Sequence, residues 1–168
     1  VGLGARGDLW MDEVWSLRIA WEASGVMDVV VHQAVDNNHI LNTLILRWLP
    51  ADAPAWVHRL PACIAGILAV GVAAKIGLRR SRLCSLLIAG LFALSYFLVH
   101  YSSEARGYAF LMLFALVSVD AALSEMHAPR LQARVIFFAS TAAGLLSHAT
   151  YMGVVVGQLQ DRLAALEL

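Results

Sequence analysis

Three stretches of this chain are apolar for long enough to cross a bilayer, which takes about 20 residues for about 30 Å of hydrocarbon. Residues 60–78 carry a single charge, Lys75, near their end. Residues 83–100 carry none, and residues 105–123 have only Arg106 at the start and Asp120 at the end. A fourth stretch, 134–157, is interrupted by Ser147 and His148. It reads as one long span or as a hairpin of two. The hairpin is favoured, because a histidine in mid-bilayer is costly and the apolar pattern continues through Leu159, Leu163 and Leu166. The first 59 residues are too polar to cross and too apolar for a free tail. Within them Trp10, Val14, Leu17 and Trp21 recur at helical spacing, predicting an amphipathic helix over 9–23 with Asp8 as its N-cap. A second runs over 38–49, with Ile40, Leu41, Leu44, Ile45 and Trp48 on one side and Pro50 as its stop. Tryptophan favours the membrane interface, so both helices are expected to lie along the membrane surface.

The predicted fold is therefore all-α: a polytopic membrane protein with two amphipathic surface helices over 1–59, followed by four or five transmembrane helices over 60–168. Composition agrees. Of 168 residues 60% are hydrophobic and 14% charged, against about 45–50% and about 25% in soluble domains. Lys+Arg and Asp+Glu both number 12, so no net basic charge points to a nucleic-acid partner. Orientation follows from the loops. Lys75, Arg79, Arg80 and Arg82 crowd one connection, and Arg130 and Arg134 fall in another. The positive-inside rule makes both cytoplasmic. Residues 1–59, the turn at 101–106 and His148 then lie outside, with eight of the twelve acids: Asp8, Asp12, Glu13, Glu22, Asp28, Asp36, Asp52 and Glu104. Cys63 and Cys84 fall near the starts of consecutive antiparallel spans, at opposite faces, so a disulfide between them is excluded by distance. The start at Val1 in mid-pattern and the stop at Leu168 read as those of a piece of a longer membrane protein.

Candidate chemistry gathers on the outer side. Asp12 and Glu13 are adjacent acids in the first turn of a helix, where the helix dipole favours negative charge; an ionised carboxylate is also the form a general base needs. Glu104 and Arg106 mark the turn between two apolar spans. Arg106 there fits a phosphate through its planar fork, or equally a snorkelling cation paired with Glu104. His32, His39, His58, His100 and His148 share the outer side, yet no pair has the i, i+4 spacing of a zinc helix. No metal or other cofactor is indicated.

Five segments together resemble the GT-C glycosyltransferases, the superfamily of the protein O-mannosyltransferases, aminoarabinose transferases and bacterial dolichyl-phosphate-mannose-type mannosyltransferases. Leu9-Trp10-Met11-Asp12-Glu13-Val14-Trp15-Ser16-Leu17 resembles their Asp-Glu signature in the first outer loop. Asn37-Asn38-His39-Ile40-Leu41-Asn42-Thr43-Leu44 resembles the His-Pro-Leu segment, with Ile40 in place of proline. Arg59-Leu60-Pro61 resembles the Arg-x-Pro that opens the next span. Tyr101-Ser102-Ser103-Glu104-Ala105-Arg106-Gly107-Tyr108 resembles the Ser-x-Glu-Ala-Arg-x-Tyr turn, and Leu146-Ser147-His148 the later Ser-His. The resemblance covers nearly the whole chain, which is shorter than the roughly dozen-span family pattern.

The resemblance implies a transferase that moves a sugar, with inversion, from a polyprenyl-phosphate donor to a glycan, lipid or protein acceptor on the outer face of a membrane, in bacteria the cytoplasmic membrane. Asp12 would be the general base and Glu13 would orient it or the acceptor. Arg106 would hold the leaving phosphate and Glu104 would position Arg106. Arg59 would be a second phosphate contact, with His39 and Tyr108 also at the substrate. The alternative is a non-catalytic membrane module, such as a transporter fragment or a truncated inactive gene product. A transporter would more often carry charges in mid-span near broken helices, whereas these predicted spans are almost free of charge.

Overall fold

The computed structural model describes residues 8–32 and 39–166. Asp36, Asn37 and Asn38 of the sequence argument lie outside the described residues. The described chain is all-helical, with no strand among the described residues. Its elements are α1 (Met11–Glu22), one π-helical turn (Asp28–His32), α2 (Ile40–Leu46), α3 (Ala55–Leu78), α4 (Arg82–Leu94), α5 (Tyr96–Ser102), α6 (Tyr108–His127), α7 (Leu131–Ser147) and α8 (Tyr151–Leu166).

Among the described residues two helices, α3 and α6, are long and apolar enough to cross a membrane. A third such span exists if α4 and α5 count as one, since they meet at Ser95 with a 62° bend. α7 is apolar but shorter. The stretch expected to run unbroken over 83–100 is thus broken. Ser95 is extended, with φ −65° and ψ 120°, and both ends α4 and starts α5. Serine is a residue at which helices commonly break, because it suits the turn as well as the helix interior. The bend turns α5 back onto α3, where Ser102 lies so close to Gly66 that any side chain there would collide with it. The 134–157 stretch folds as α7 and α8, separated by residues 148–150.

α3 packs on α4 and α6, and α6 packs on α7. The inward stripe of α3 is Ala62, Ala65, Gly66, Ala69 and Ala73, all small. In a bilayer the hydrophobic effect does not draw helices together, and small residues let backbones approach closely. Ala62 and Ala65 form a cluster with Ala109 and Phe110 of α6. At the far end from α1, Asp120 on α6 accepts from Lys75 Nζ at 2.7 Å and from Arg79 Nη2 at 2.6 Å. That pairing fixes the foot of α3 against α6 and neutralises part of the basic loop.

Several expected boundaries move. α3 begins at Ala55 rather than 60, with Pro54 before it and Pro61 inside it. α6 begins at Tyr108 rather than 105, because residues 103–107 form a turn. α2 is Ile40–Leu46, shorter than 38–49. Trp48 and Leu49 donate to Ile45 and Leu46 in tighter i→i−3 bonds, and proline at position 50 pushes its predecessor out of the helical region. The N-cap of α1 is Trp10, not Asp8. The Glu13 carboxylate reaches back to Trp10 N–H at 2.8 Å, half of a capping box.

Each surface helix buries one face against the rest of the chain. α1 buries Glu13, Ser16, Leu17, Ile19 and Ala20, while Trp10, Val14 and Trp15 stay exposed. α2 and the residue before it bury His39, Asn42, Thr43 and Leu46. Apart from Ile19, each buried set follows i, i+3, i+4, i+7, the period of one helical face. The buried faces are thus mixed, with Glu13, Ser16, Asn42 and Thr43 beside Leu17, Ile19, Ala20 and Leu46, and Leu41 and Ile45 pack on the cluster of Ala62 and Ala109. The exposed Trp10, Val14, Trp15, Trp21 and Trp48 suit apolar surroundings. Exposed Leu83, Leu86, Leu87, Leu91 and Leu94 on α4 extend the same pattern, far beyond the apolar patches soluble monomers show.

Candidate functional site

Buried polar residues of α1 and α2 converge on the turn between α5 and α6. Glu13 is wholly buried and surrounded by donors. Arg59 Nε gives a 2.7 Å bond to Oε1 and Arg59 Nη2 a 2.6 Å bond to Oε2. Ala105 N–H donates to Oε1 at 2.7 Å, completing the set with Trp10 N–H. Arg59, only 1% exposed, also donates to the Asp8 carbonyl at 2.7 Å. Bidentate pairing with satisfied remaining donors is the arrangement in which a buried ion pair can be tolerated. Burial by itself would raise the Glu13 pKa, but Arg59 and the two backbone donors outweigh it and hold the carboxyl below its ordinary value.

Ala105 is gripped from both sides. Glu13 takes its N–H, and Asn42 Nδ2 of α2 donates to its carbonyl at 2.8 Å. A fixed Ala105 places its neighbours Glu104 and Arg106 at this end of the bundle. Gly107 follows because no side chain fits there: a Cβ would run into the Ser147 carbonyl and the His39 ring.

Arg106 is the centre of what remains open. Its Nη1 lies 3.1 Å from Asp12 Oδ2, and Asp12 has a side chain 65% exposed. On the other flank Nη1 is 3.8 Å from Glu104 Oε2. The guanidinium lies over the Tyr108 ring, 4.8 Å from its centroid, a cation–π geometry. Tyr108, His39 and His148 form a triangle of rings with centroids 4.8–5.0 Å apart, and Tyr101 extends it at 4.7 Å from Tyr108. His39 Nδ1 is 3.3 Å from the Ser147 carbonyl, which only accepts, so Nδ1 carries the proton. His148 Nδ1 accepts from Thr150 N–H at 3.1 Å, which leaves the neutral ring its proton on Nε2.

The electrostatics keep this corner cationic at Arg106 and neutral at the histidines. Burial, reinforced by His148 and Arg106, lowers the His39 pKa to about 4. Burial and Arg106 lower that of His148 as well. Glu104 is raised, chiefly by burial, against the opposing pull of His100 and Arg106. Among the described residues no group of three or more His, Cys, Asp or Glu side chains converges as a metal site would.

Of the residues singled out from the sequence, Asp12, Glu104, Arg106, Tyr108 and His39 come together in one cluster. Glu13 and Arg59 lie beneath it, bound to each other. Neither reaches the surface, and their charges are taken up by one another. Their part is to fix α1 and Ala105, and through them Asp12 and Arg106. Asn42, His100 and Tyr101 join the cluster without having been singled out for a role. Asn42 carries no signal of its own in a helix that reads as apolar. Comparison with protein-family models, with curated proteins and with solved structures returned no match.

Proposed function

We propose that this chain carries the donor-binding and base residues of an integral-membrane glycosyltransferase, which moves a sugar from a polyprenyl-phosphate donor to an acceptor hydroxyl or amine. The observation that carries the reading is the Asp12–Arg106 pair at 3.1 Å, an exposed carboxylate beside a guanidinium, held at the helix-bundle end opposite the basic loop. A lipid-linked sugar presents its phosphate at interface depth, where a guanidinium can take it bidentately.

At 3.1 Å the pair leaves no room for a sugar ring between its members. Donor binding therefore opens it: the phosphate replaces Asp12 on Arg106 and releases the carboxylate toward the acceptor. Asp12 takes the acceptor proton as the acceptor oxygen or nitrogen bonds to the anomeric carbon. The bond from that carbon to the phosphate oxygen breaks, and its electron pair leaves with the polyprenyl phosphate. Arg106 stabilises the charge that grows there. Attack opposite the leaving group inverts the anomeric centre. The sugar's outer side is the extracytoplasmic face, because the basic loop at the other end belongs in the cytoplasm.

Binding of a polyprenyl phosphate to the protein in lipid nanodiscs tests the phosphate role. Arg106→Ala is expected to weaken binding by about tenfold or more, the loss typical of a charge-assisted hydrogen-bond donor. Unchanged binding would remove Arg106 from the donor site.

A further inference from the structure

Glu104 is held from two sides, by His100 and by Arg106. Its Oε1 lies 3.1 Å from His100 Nε2 on the last turn of α5. Its Oε2 faces Arg106 Nη1 at 3.8 Å, beyond hydrogen-bond distance, and is buried without a hydrogen-bond partner. The residue as a whole is 7% exposed. A carboxylate this deep is costly unless paired. Burial, Glu13 and Asp12 all favour its neutral form, while His100 and Arg106 favour its charged form. Arg59, from α3, also interacts with it electrostatically. The result is a chain of neighbouring ionisable groups, His100–Glu104–Arg106–Asp12, that starts and ends at partly open side chains: His100 is 38% exposed and Asp12 65%.

We propose that His100 is a positioning residue: in its protonated form, 3.1 Å from Glu104, it holds that carboxylate as an anion beside Arg106, which keeps the guanidinium toward Asp12 and an incoming phosphate. The use of this arrangement in sugar transfer rests on the glycosyltransferase reading; the arrangement itself does not. Without the His100 cation, Glu104 takes up a proton from solvent at a higher pH. Arg106 then loses an anionic neighbour and its orientation. The proton is the only species exchanged.

The test uses the protein in lipid nanodiscs, with two readouts followed against pH. One is the Glu104 carboxyl band in infrared difference spectra, with Glu104→Gln as background. The other is kcat/KM for transfer from a polyprenyl-phosphate sugar. His100→Phe keeps a ring against Tyr96, with which His100 stacks at 5.7 Å, and removes the ionisable nitrogen. His100→Lys restores a cationic donor. His100→Phe is expected to raise the pH of Glu104 protonation by about one unit, the size of effect an opposite charge at this range produces. The acidic limb of kcat/KM should move with it, and His100→Lys should return both toward wild type. A Glu104 titration unmoved by His100→Phe overturns the proposal. So does a loss of activity with an unmoved acidic limb that lysine fails to restore. A titration that moves in a protein whose wild type transfers no sugar upholds the His100–Glu104 coupling and overturns the glycosyltransferase reading alone.

Discussion

Glu13 and Arg59 show what one buried pair does for everything above it. Each is at most 1% exposed, and their two charges are satisfied by one another and by backbone groups of residues 8, 10 and 105. Removing one charge from such a pair strands the other, at a cost of about 3–5 kcal/mol. Glu13→Gln is therefore expected to lower the thermal unfolding midpoint in detergent clearly. The double change Glu13→Gln with Arg59→Met should recover part of the loss, since no stranded cation remains. A single variant as stable as wild type would mean that the pair is not closed to water. The pH sense follows from the depressed Glu13 pKa. Its contribution is present above the ordinary carboxylate value of 4.5 and is lost as pH falls through the lower folded-state value. None of this was legible from the sequence. Adjacent Asp12 and Glu13 look alike in a first turn, and only their neighbours, an arginine 46 positions on and an amide 92 positions on, send one inward and leave the other open.

Among the elements, the long apolar ones were the most legible. Residues 60–78 and 105–123 fall within α3 and along α6 because an unbroken apolar run of that length has few alternatives to a helix. The amphipathic pair was legible as helices, and Trp10, Val14, Trp21 and Trp48 of their apolar stripes are exposed. Sequence periodicity finds a face without showing that Glu13, Asn42 and Thr43 are the polar groups the protein covers. The Ser95 break carries only the weak signal of a serine in an apolar run. The α5–α6 turn depends on closeness: α2, α7 and the turn meet at Gly107, with the Ser147 carbonyl and the His39 ring against it. Gly107→Val is expected to force these elements apart. It should lower the unfolding midpoint, and polyprenyl phosphate binding should weaken with it because Arg106 is the next residue. A valine variant with wild-type stability and binding would show that this approach has room to give.

On the scale of the whole molecule, the polar cluster and the basic loop occupy opposite ends of α3 and α6. All five tryptophans, Trp10, Trp15, Trp21, Trp48 and Trp56, belong to the site end and are at least 38% exposed, as interfacial anchors would be. In a background with Cys63 and Cys84 replaced, cysteine at position 80 should react with an impermeant thiol reagent from the cytoplasmic side only. Cysteine at position 52 should react from the other side only. The reverse result would put the Asp12–Arg106 pair on the wrong face for a donor carried outside. Composition made the membrane legible at once, whereas the closeness of Asp12 to Arg106 became visible only with the fold. The most direct measurement is transfer from a radiolabelled polyprenyl-phosphate sugar by membranes carrying the protein, wild type against Asp12→Asn at equal membrane levels. Transfer by wild type and its loss in Asp12→Asn is the predicted result. Equal transfer by both, or none by either, would contradict the account.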